Sequence, residues 1–346
     1  MKPKKLLSLQ CLRGLAALLI VLFHISSNYK EIFGSKLIFG LFDSSDASVD
    51  IFFVLSGFII YYTSEKLIGT GHLKQYAYSR FTRIYPIYWI SIIHLVFFRI
   101  AFDPNYSFDL LSFVKTIFLL PGHEMFNGVS WSLSHELYFY LLFALFIFNR
   151  KFLLLGATIF VLSIVQYIYP PLFSDSLVSF LFHKRNLLFA AGCLLAANIH
   201  NLPQLTSTKA KSLFIASLIG YFAWGFNNPS HQLDILIYGI IALCLVWSLL
   251  SLEPMLSKKS YQPFIKLGDA SYALYLLHLP LANIFLKMMH RYQTPEWLRY
   301  LAIFGFITGL ILMSILFFTF IEKPVMRFLN PKKAKSAPIL QPAIKV

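Results

Sequence analysis

Apolar stretches separated by short polar ones divide this sequence into ten segments, near 9–28, 48–64, 84–102, 131–148, 152–169, 186–199, 211–226, 233–251, 268–289 and 300–321. A helix needs about 20 mostly apolar residues to cross hydrocarbon, at about 1.5 Å per residue, and most of these segments approach that length. Within runs such as 15–25 and 301–320 the apolar residues are continuous rather than alternating. That pattern favours helices over the strands of a membrane barrel. The expectation is an all-α, polytopic integral membrane bundle of about ten transmembrane helices over residues 1–330. The stretch 108–120 is apolar but short, and reads as an interfacial or re-entrant piece. Residues 331–346, rich in lysine and proline, read as a basic, disordered cytoplasmic tail lying against anionic lipid.

Composition strengthens this reading. Hydrophobic residues make up 58% of the chain and charged residues 13%, against about 25% charged in a soluble domain. The formal charge of +15 would suggest nucleic acid in a soluble protein. Here the charges fall between apolar runs, and no basic stretch resembles a nucleic-acid module. With both termini assigned to the cytoplasm, most of the 30 Lys and Arg residues lie on the inner side, as the positive-inside rule requires. The N-terminal lysines followed by an apolar run imitate a signal peptide, but no small-residue cleavage site follows, so the segment reads as a retained first helix. Cys11, Cys193 and Cys244 form neither a disulfide framework nor a metal-ligand set. No 20–50-residue repeat is visible.

A charge within a span costs about 2.5–3.5 kcal/mol even on the lenient insertion scale, so polar residues inside the apolar runs are the functional candidates. Arg13 and His24 are eleven residues apart, about 20° past three full turns, and share one face of the first helix about 16 Å apart along its axis. Arginine grips phosphate with a planar fork, and a neutral imidazole can take a proton from a hydroxyl. A snorkelling arginine and a packing histidine remain the alternative. Asp50 opens the second segment, where a helix N-terminal role suits it equally. Ser56 and Gly57 allow close approach of another helix or a ligand. Arg80 and Arg83, three residues apart, precede the third segment at the depth of Arg13; together the three form a credible phosphate site. In the fourth, Ser132 and Glu136 share a face. Glu136 sits deep enough to need a partner, and His24 is the candidate, a pairing that would orient an activated base. In the ninth, Ser271, Tyr275 and His278 make a polar stripe that interhelical bonding would also explain. His94 reads as packing, and His123 with Glu124 as a solvated loop.

Taken in order, these residues resemble the acyltransferase-3 family, bacterial membrane enzymes that O-acylate surface glycans. The resemblance runs through Leu12-Arg13-Gly14 leading to His24, Phe52-Phe53 with Ser56-Gly57, and Arg80, Arg83 and Pro86. It continues through Trp131-Ser132-Leu133-Ser134 with Glu136, Phe139 and Tyr140, then Arg185 with Phe189 and Gly192, Ser271-Tyr272 with Tyr275 and His278, and Glu322 with Pro324. Gln10 and Cys11 stand where members often carry Asp-Gly. The resemblance implies an acyl-CoA co-substrate, acetyl-CoA foremost, no metal, and a bacterial cytoplasmic (inner) membrane location. Arg13, Arg80 and Arg83 would lie near the donor phosphates and His24 at the transfer centre with Glu136. Asp50, Ser56, Ser132, Arg185, Tyr275 and His278 would bind substrate or support the site. The acceptor would be a hydroxyl of a glycan or of a lipid-linked saccharide. Some members add a C-terminal periplasmic esterase-like domain, so a separate periplasmic partner is expected for any such step; a homo-oligomer is left open. The rival reading is a transporter or flippase that uses His24 and Glu136 as a substrate or proton path.

Overall fold

The computed structural model describes residues 6–102, 108–122, 125–170, 176–227 and 233–329. The basic tail and the His123–Glu124 pair therefore lie outside the described residues. Every regular element among the described residues is helical. In chain order they are α1 (Leu7–Phe33), α2 (Ser48–Ser64), α3 (Leu73–Phe102), α4 (Leu110–Ile117), α5 (Trp131–Phe148), α6 (Leu153–Ile168) and α7 (Ser176–Leu181). There follow α8 (Arg185–Ala197), α9 (Ser207–Asn227), α10 (Asp234–Ser251), α11 (Gln262–Asp269), α12 (Ser271–Arg291), α13 (Glu296–Phe317) and α14 (Lys323–Leu329).

Each of the ten expected segments falls on one of these helices. Among the described residues, eight stretches are long and apolar enough to cross a membrane. The remaining two segments are α3, which carries Lys74, Arg80, Arg83 and Arg99, and α9, which opens with Lys209 and Lys211. Apolar side chains such as Ile93, Phe97, Leu154, Phe304 and Leu312 are exposed on the outer surface, an arrangement that only hydrocarbon makes favourable. His94 also stands on the exposed side of α3 rather than in a packed interface. The short stretch near 110–117 is the helix α4. Its N-cap Asp109 accepts hydrogen bonds from the backbone N–H groups of Leu111 and Ser112 at 3.2 and 2.9 Å. Hydrogen bonds from Ser112, side chain and backbone, hold the Asp109 carboxyl below the usual carboxylate range. At the other end of α4, Tyr88 and Trp89 of α3 donate to the carbonyls of Thr116 and Ile117.

The helix α1 is central, packing on α2, α10, α11 and α12. Two crossings bring backbones together at glycines. A Cβ at Gly268 would lie 1.8 Å from the Gln10 carbonyl oxygen, and one at Gly14 would lie 2.9 Å from the Gly268 nitrogen. Between α2 and α8, a Cβ at Gly57 would lie 2.0 Å from the Phe189 carbonyl oxygen, and one at Gly192 would lie 2.1 Å from that of Val54. Small residues let membrane helices approach closely enough for van der Waals packing to hold them, since lipid supplies no hydrophobic drive between helices.

The first turn of α1 leaves backbone N–H groups without intrahelical partners. A distant residue supplies them: the Glu253 carboxylate accepts from Leu7 N at 2.7 Å and from Ser8 N at 2.8 Å. Its negative charge also complements the positive end of the helix dipole. Replacing Glu253 with alanine is expected to destabilise the protein by about 1–3 kcal/mol, measured as a lower melting midpoint in detergent. An unchanged midpoint would show that water caps the helix equally well.

Candidate functional site

A cavity of about 280 Å³ lies among α1, α2, α3, α5, α11, α12, the turn that follows α13, and α14. Gln10 of α1, Asp269 at the close of α11 and Glu322 mark one end of it, while Val49 and Ser132, in the first turns of α2 and α5, mark the other. Two of the charged wall residues, Arg13 and Glu322, are set by a local feature. Arg13 precedes Gly14, whose missing side chain lets α11 approach α1. Arg83 lies in the first half of α3. Glu322 closes a π-helical turn, Phe318–Glu322, that joins α13 to α14; such turns concentrate at functional positions because they re-aim a side chain.

Arg13 and Arg83 both line the cavity. Neither makes a hydrogen bond or an ion pair among the described residues, although both feel the charges of Glu136 and Glu322. One carboxylate oxygen of the buried Glu322 likewise has no hydrogen-bond partner. These two guanidiniums share a largely apolar cavity with Glu136, Asp269 and Glu322, and arginine without a direct partner is the side chain suited to grip an anion. Arg80, expected beside them, is not on the cavity wall. Its Nη2 donates to Thr63 Oγ1 at 3.1 Å.

The expected pairing of Glu136 with His24 is not formed. Glu136 is on the cavity wall, where its Oε1 accepts from Tyr140 Oη at 2.5 Å and from Ser56 Oγ at 3.3 Å. The reason is one of direction: Tyr140 is four residues further along α5, so both point from the same face, and α2 rather than α1 supplies the second donor. His24 instead meets His278, with ring centroids 5.2 Å apart. The His278 side chain is fully buried and its Nδ1 lies 3.1 Å from the Leu274 carbonyl. A carbonyl only accepts, so that nitrogen carries the proton. Nε2 is then a bare lone pair, and it has no hydrogen-bond partner. His24 itself is half-buried and set back from the cavity. The link between them is Tyr275, a wall residue whose ring centroid is 5.9 Å from that of His278.

The remaining expected residues fall into two groups. Ser132 and Tyr275 lie 2.7 Å apart, and Tyr275 Oη donates to the Val129 carbonyl, also at 2.7 Å. Asp50 and Arg185 form an ion pair at 3.0 Å, with the guanidinium over the Trp131 and Phe53 rings at 4.6 and 5.9 Å. Asp50 was legible as a helix N-terminal residue, and its ion-pair partner was not. Two histidines beside this pair were missed. His135 and His183 have ring centroids 4.8 Å apart, and His135 Nδ1 donates to the Trp131 carbonyl at 3.2 Å. The signal for His135 was available, since it stands four residues after Trp131, between Ser132 and Glu136. Asp269 carried no signal. Among the described residues no group of three or more His, Cys, Asp or Glu side chains could hold a metal ion.

A helical bundle with membrane-length apolar helices, enclosing a largely apolar cavity walled by two arginines and three carboxylates beside an imidazole pair, defines a class of polytopic helical membrane protein. The comparison with known proteins narrows it. Residues 6–319 match the acyltransferase domain of the acyltransferase-3 family, and the chain belongs to that family. It is similar to the exopolysaccharide production protein ExoZ of Rhizobium meliloti, 29% identical over 67% of this chain and 75% of that protein. It is also similar to the peptidoglycan O-acetyltransferase OatA of Listeria monocytogenes, 24% identical over 93% of this chain and 56% of that protein. With the O-acetyltransferase OatA of Staphylococcus aureus strain MRSA252 the identity is 24% over 97% of this chain and 60% of that protein. The chain thus spans rather more than half the length of either OatA. No solved structure matches it.

Proposed function

We propose that this membrane acyltransferase moves an acyl group, acetyl foremost, from acyl-CoA to a hydroxyl of a cell-surface glycan or its lipid-linked precursor. The observation that carries the reading is the cavity wall on which two guanidiniums, Arg13 and Arg83, make no hydrogen bond or ion pair among the described residues, although Glu136, Asp269 and Glu322 share that wall. The phosphates of CoA are anions that such a pair would bind, and the pantetheine arm suits the largely apolar remainder of the lining. The names of the relatives, an exopolysaccharide production protein and O-acetyltransferases, support a glycan acceptor. In this reading about ten helices cross the bacterial cytoplasmic membrane with both termini inside. The Arg13–Arg83 end then takes the donor from the cytoplasm and the Val49–Ser132 end faces the acceptor.

His24 is the general base. It removes the proton from the acceptor hydroxyl as that oxygen attacks the thioester carbonyl; the carbon–sulfur bond breaks and the CoA thiolate leaves, taking up the proton. His278 assumes the part first expected of Glu136. Its only free nitrogen can accept and not donate, so it stabilises His24 once that imidazole is charged.

The test is to incubate membranes holding the protein with labelled acetyl-CoA and a candidate glycan. Label appearing on the glycan supports the reading. Movement of unmodified glycan across the membrane, with no label transferred, would overturn it in favour of a transporter. Arg83→Gln is expected to raise KM for acetyl-CoA by about 10- to 100-fold, the worth of a charge-assisted hydrogen bond, with glycan KM unchanged. An unchanged KM for the donor would remove Arg83 from its binding.

A further inference from the structure

Arg13 and Arg83 pose a question that their role as ligands does not answer. Two unpaired guanidiniums share a cavity with three carboxylates, Glu136, Asp269 and Glu322, and the charges of Glu136 and Glu322 act on both. In a medium of low dielectric such groups attract strongly. A free Glu136 side chain would swing onto one of the arginines, satisfy it and close the anion site. Something must hold the carboxylate away.

The restraint begins at Tyr140, whose Oη donates to Glu136 Oε1 at 2.5 Å, while the Ser56 contact on the other side is longer, at 3.3 Å. Tyr140 is itself fixed from two directions. Tyr76 Oη donates to the Tyr140 backbone carbonyl at 3.2 Å. The Arg80 guanidinium lies between the two rings, 5.4 Å from each centroid, and is anchored to α2 through Thr63. A cation over a phenol ring draws on its electron density. The phenolic O–H then becomes a stronger donor, and its bond to a carboxylate tightens.

We infer that Arg80 is a positioning residue: acting through the Tyr140 ring, it latches Glu136 back against α5 and so keeps Arg13 and Arg83 open for the donor. It does not itself touch the donor. Of the two arginines three residues apart, one faces the cavity and the other secures Glu136, one of the carboxylates on its wall. This inference rests on the acyl-CoA reading.

The experiment measures retention of labelled CoA by the purified full-length protein in detergent. Arg80→Ala is expected to weaken CoA binding about tenfold, the loss of one charge-assisted contact. A direct phosphate ligand would do the same, so three further variants decide. Tyr140→Phe is expected to weaken binding to a similar extent. Arg80→Ala with Tyr140→Phe is expected to be no worse than either alone, because both release one latch. Arg80→Ala with Glu136→Gln is expected to recover wild-type binding, since a neutral amide has no reason to occupy the arginines, whereas Glu136→Gln is expected not to rescue Arg83→Gln. Unchanged binding in Tyr140→Phe, multiplied losses in the first double variant, or no recovery in the second would each overturn the latch. Wild-type protein that retains no CoA would instead bring down the acyl-CoA reading, and the latch with it.

Discussion

His24→Ala is expected to lower acyl transfer to the glycan by about 10²- to 10⁴-fold, the usual contribution of a positioned general base. Expression and melting midpoint are expected to stay close to wild type, because the His24 ring is half-buried and makes no hydrogen bond among the described residues. Binding of CoA is expected to survive as well, since His24 is not on the wall that carries Arg13 and Arg83. The loss therefore falls on kcat rather than on donor KM. His278→Ala is expected to cost less, about tenfold, because it removes the group that stabilises the charged base rather than the base itself. Combining the two is expected to cost little more than His24→Ala alone. Transfer that persists within a few-fold in His24→Ala would place the base elsewhere, with Glu136 the next group to test.

How much of this could be read before the structure differs between the helices and their neighbours. Apolar runs fix that a segment is helical and which of its residues share a face, so Arg13 and His24 on α1, or Ser132 and Glu136 on α5, were legible from spacing alone. Tyr140 was equally legible as a partner of Glu136, being four residues on, but attention to depth favoured His24. Depth is a weak guide: many side chains share a level in a bundle of this size, and only helix order and rotation decide which of them touch. Nothing in α1 or α12 alone announces that His24 meets His278, nor anything in α2 or α8 that Asp50 pairs with Arg185. The same limit explains Arg80 and Arg83. Their spacing placed them together at one depth, yet a three-residue step leaves the side chains about 60° apart round the helix, enough to put one on the cavity wall and the other over Tyr76 and Tyr140.

The crossing of α2 and α8 carries the second large effect. Gly57→Ala is expected to destabilise the protein by about 2–4 kcal/mol, at the upper end of what overpacking costs. The added Cβ would sit 2.0 Å from the Phe189 carbonyl oxygen, with Cys193 N at 3.2 Å. Those are backbone atoms and cannot rotate aside, so the helices themselves must separate. Separation loosens packing along both helices, including the bond from Cys193 Sγ to the Gly57 carbonyl and the Asp50–Arg185 ion pair. It also shifts Ser56, one residue before the contact, away from Glu136. Gly192→Ala meets the Val54 carbonyl at 2.1 Å and is expected to cost about as much. The double variant is expected to cost less than the sum, because the first substitution has already forced the crossing open. Gly305 and Gly309 of α13 supply the contrast. A Cβ at either meets nothing within 4 Å, so alanine there is expected to be neutral or to stabilise by about 0.5–1 kcal/mol through helix propensity. The measurement is the fraction of monodisperse protein surviving a temperature series in detergent, followed by size exclusion. If Gly57→Ala melts with wild type while Gly305→Ala behaves as expected, α2 and α8 do not cross backbone to backbone, and the wall that presents Ser56 and Phe52 to the cavity is set by some other contact.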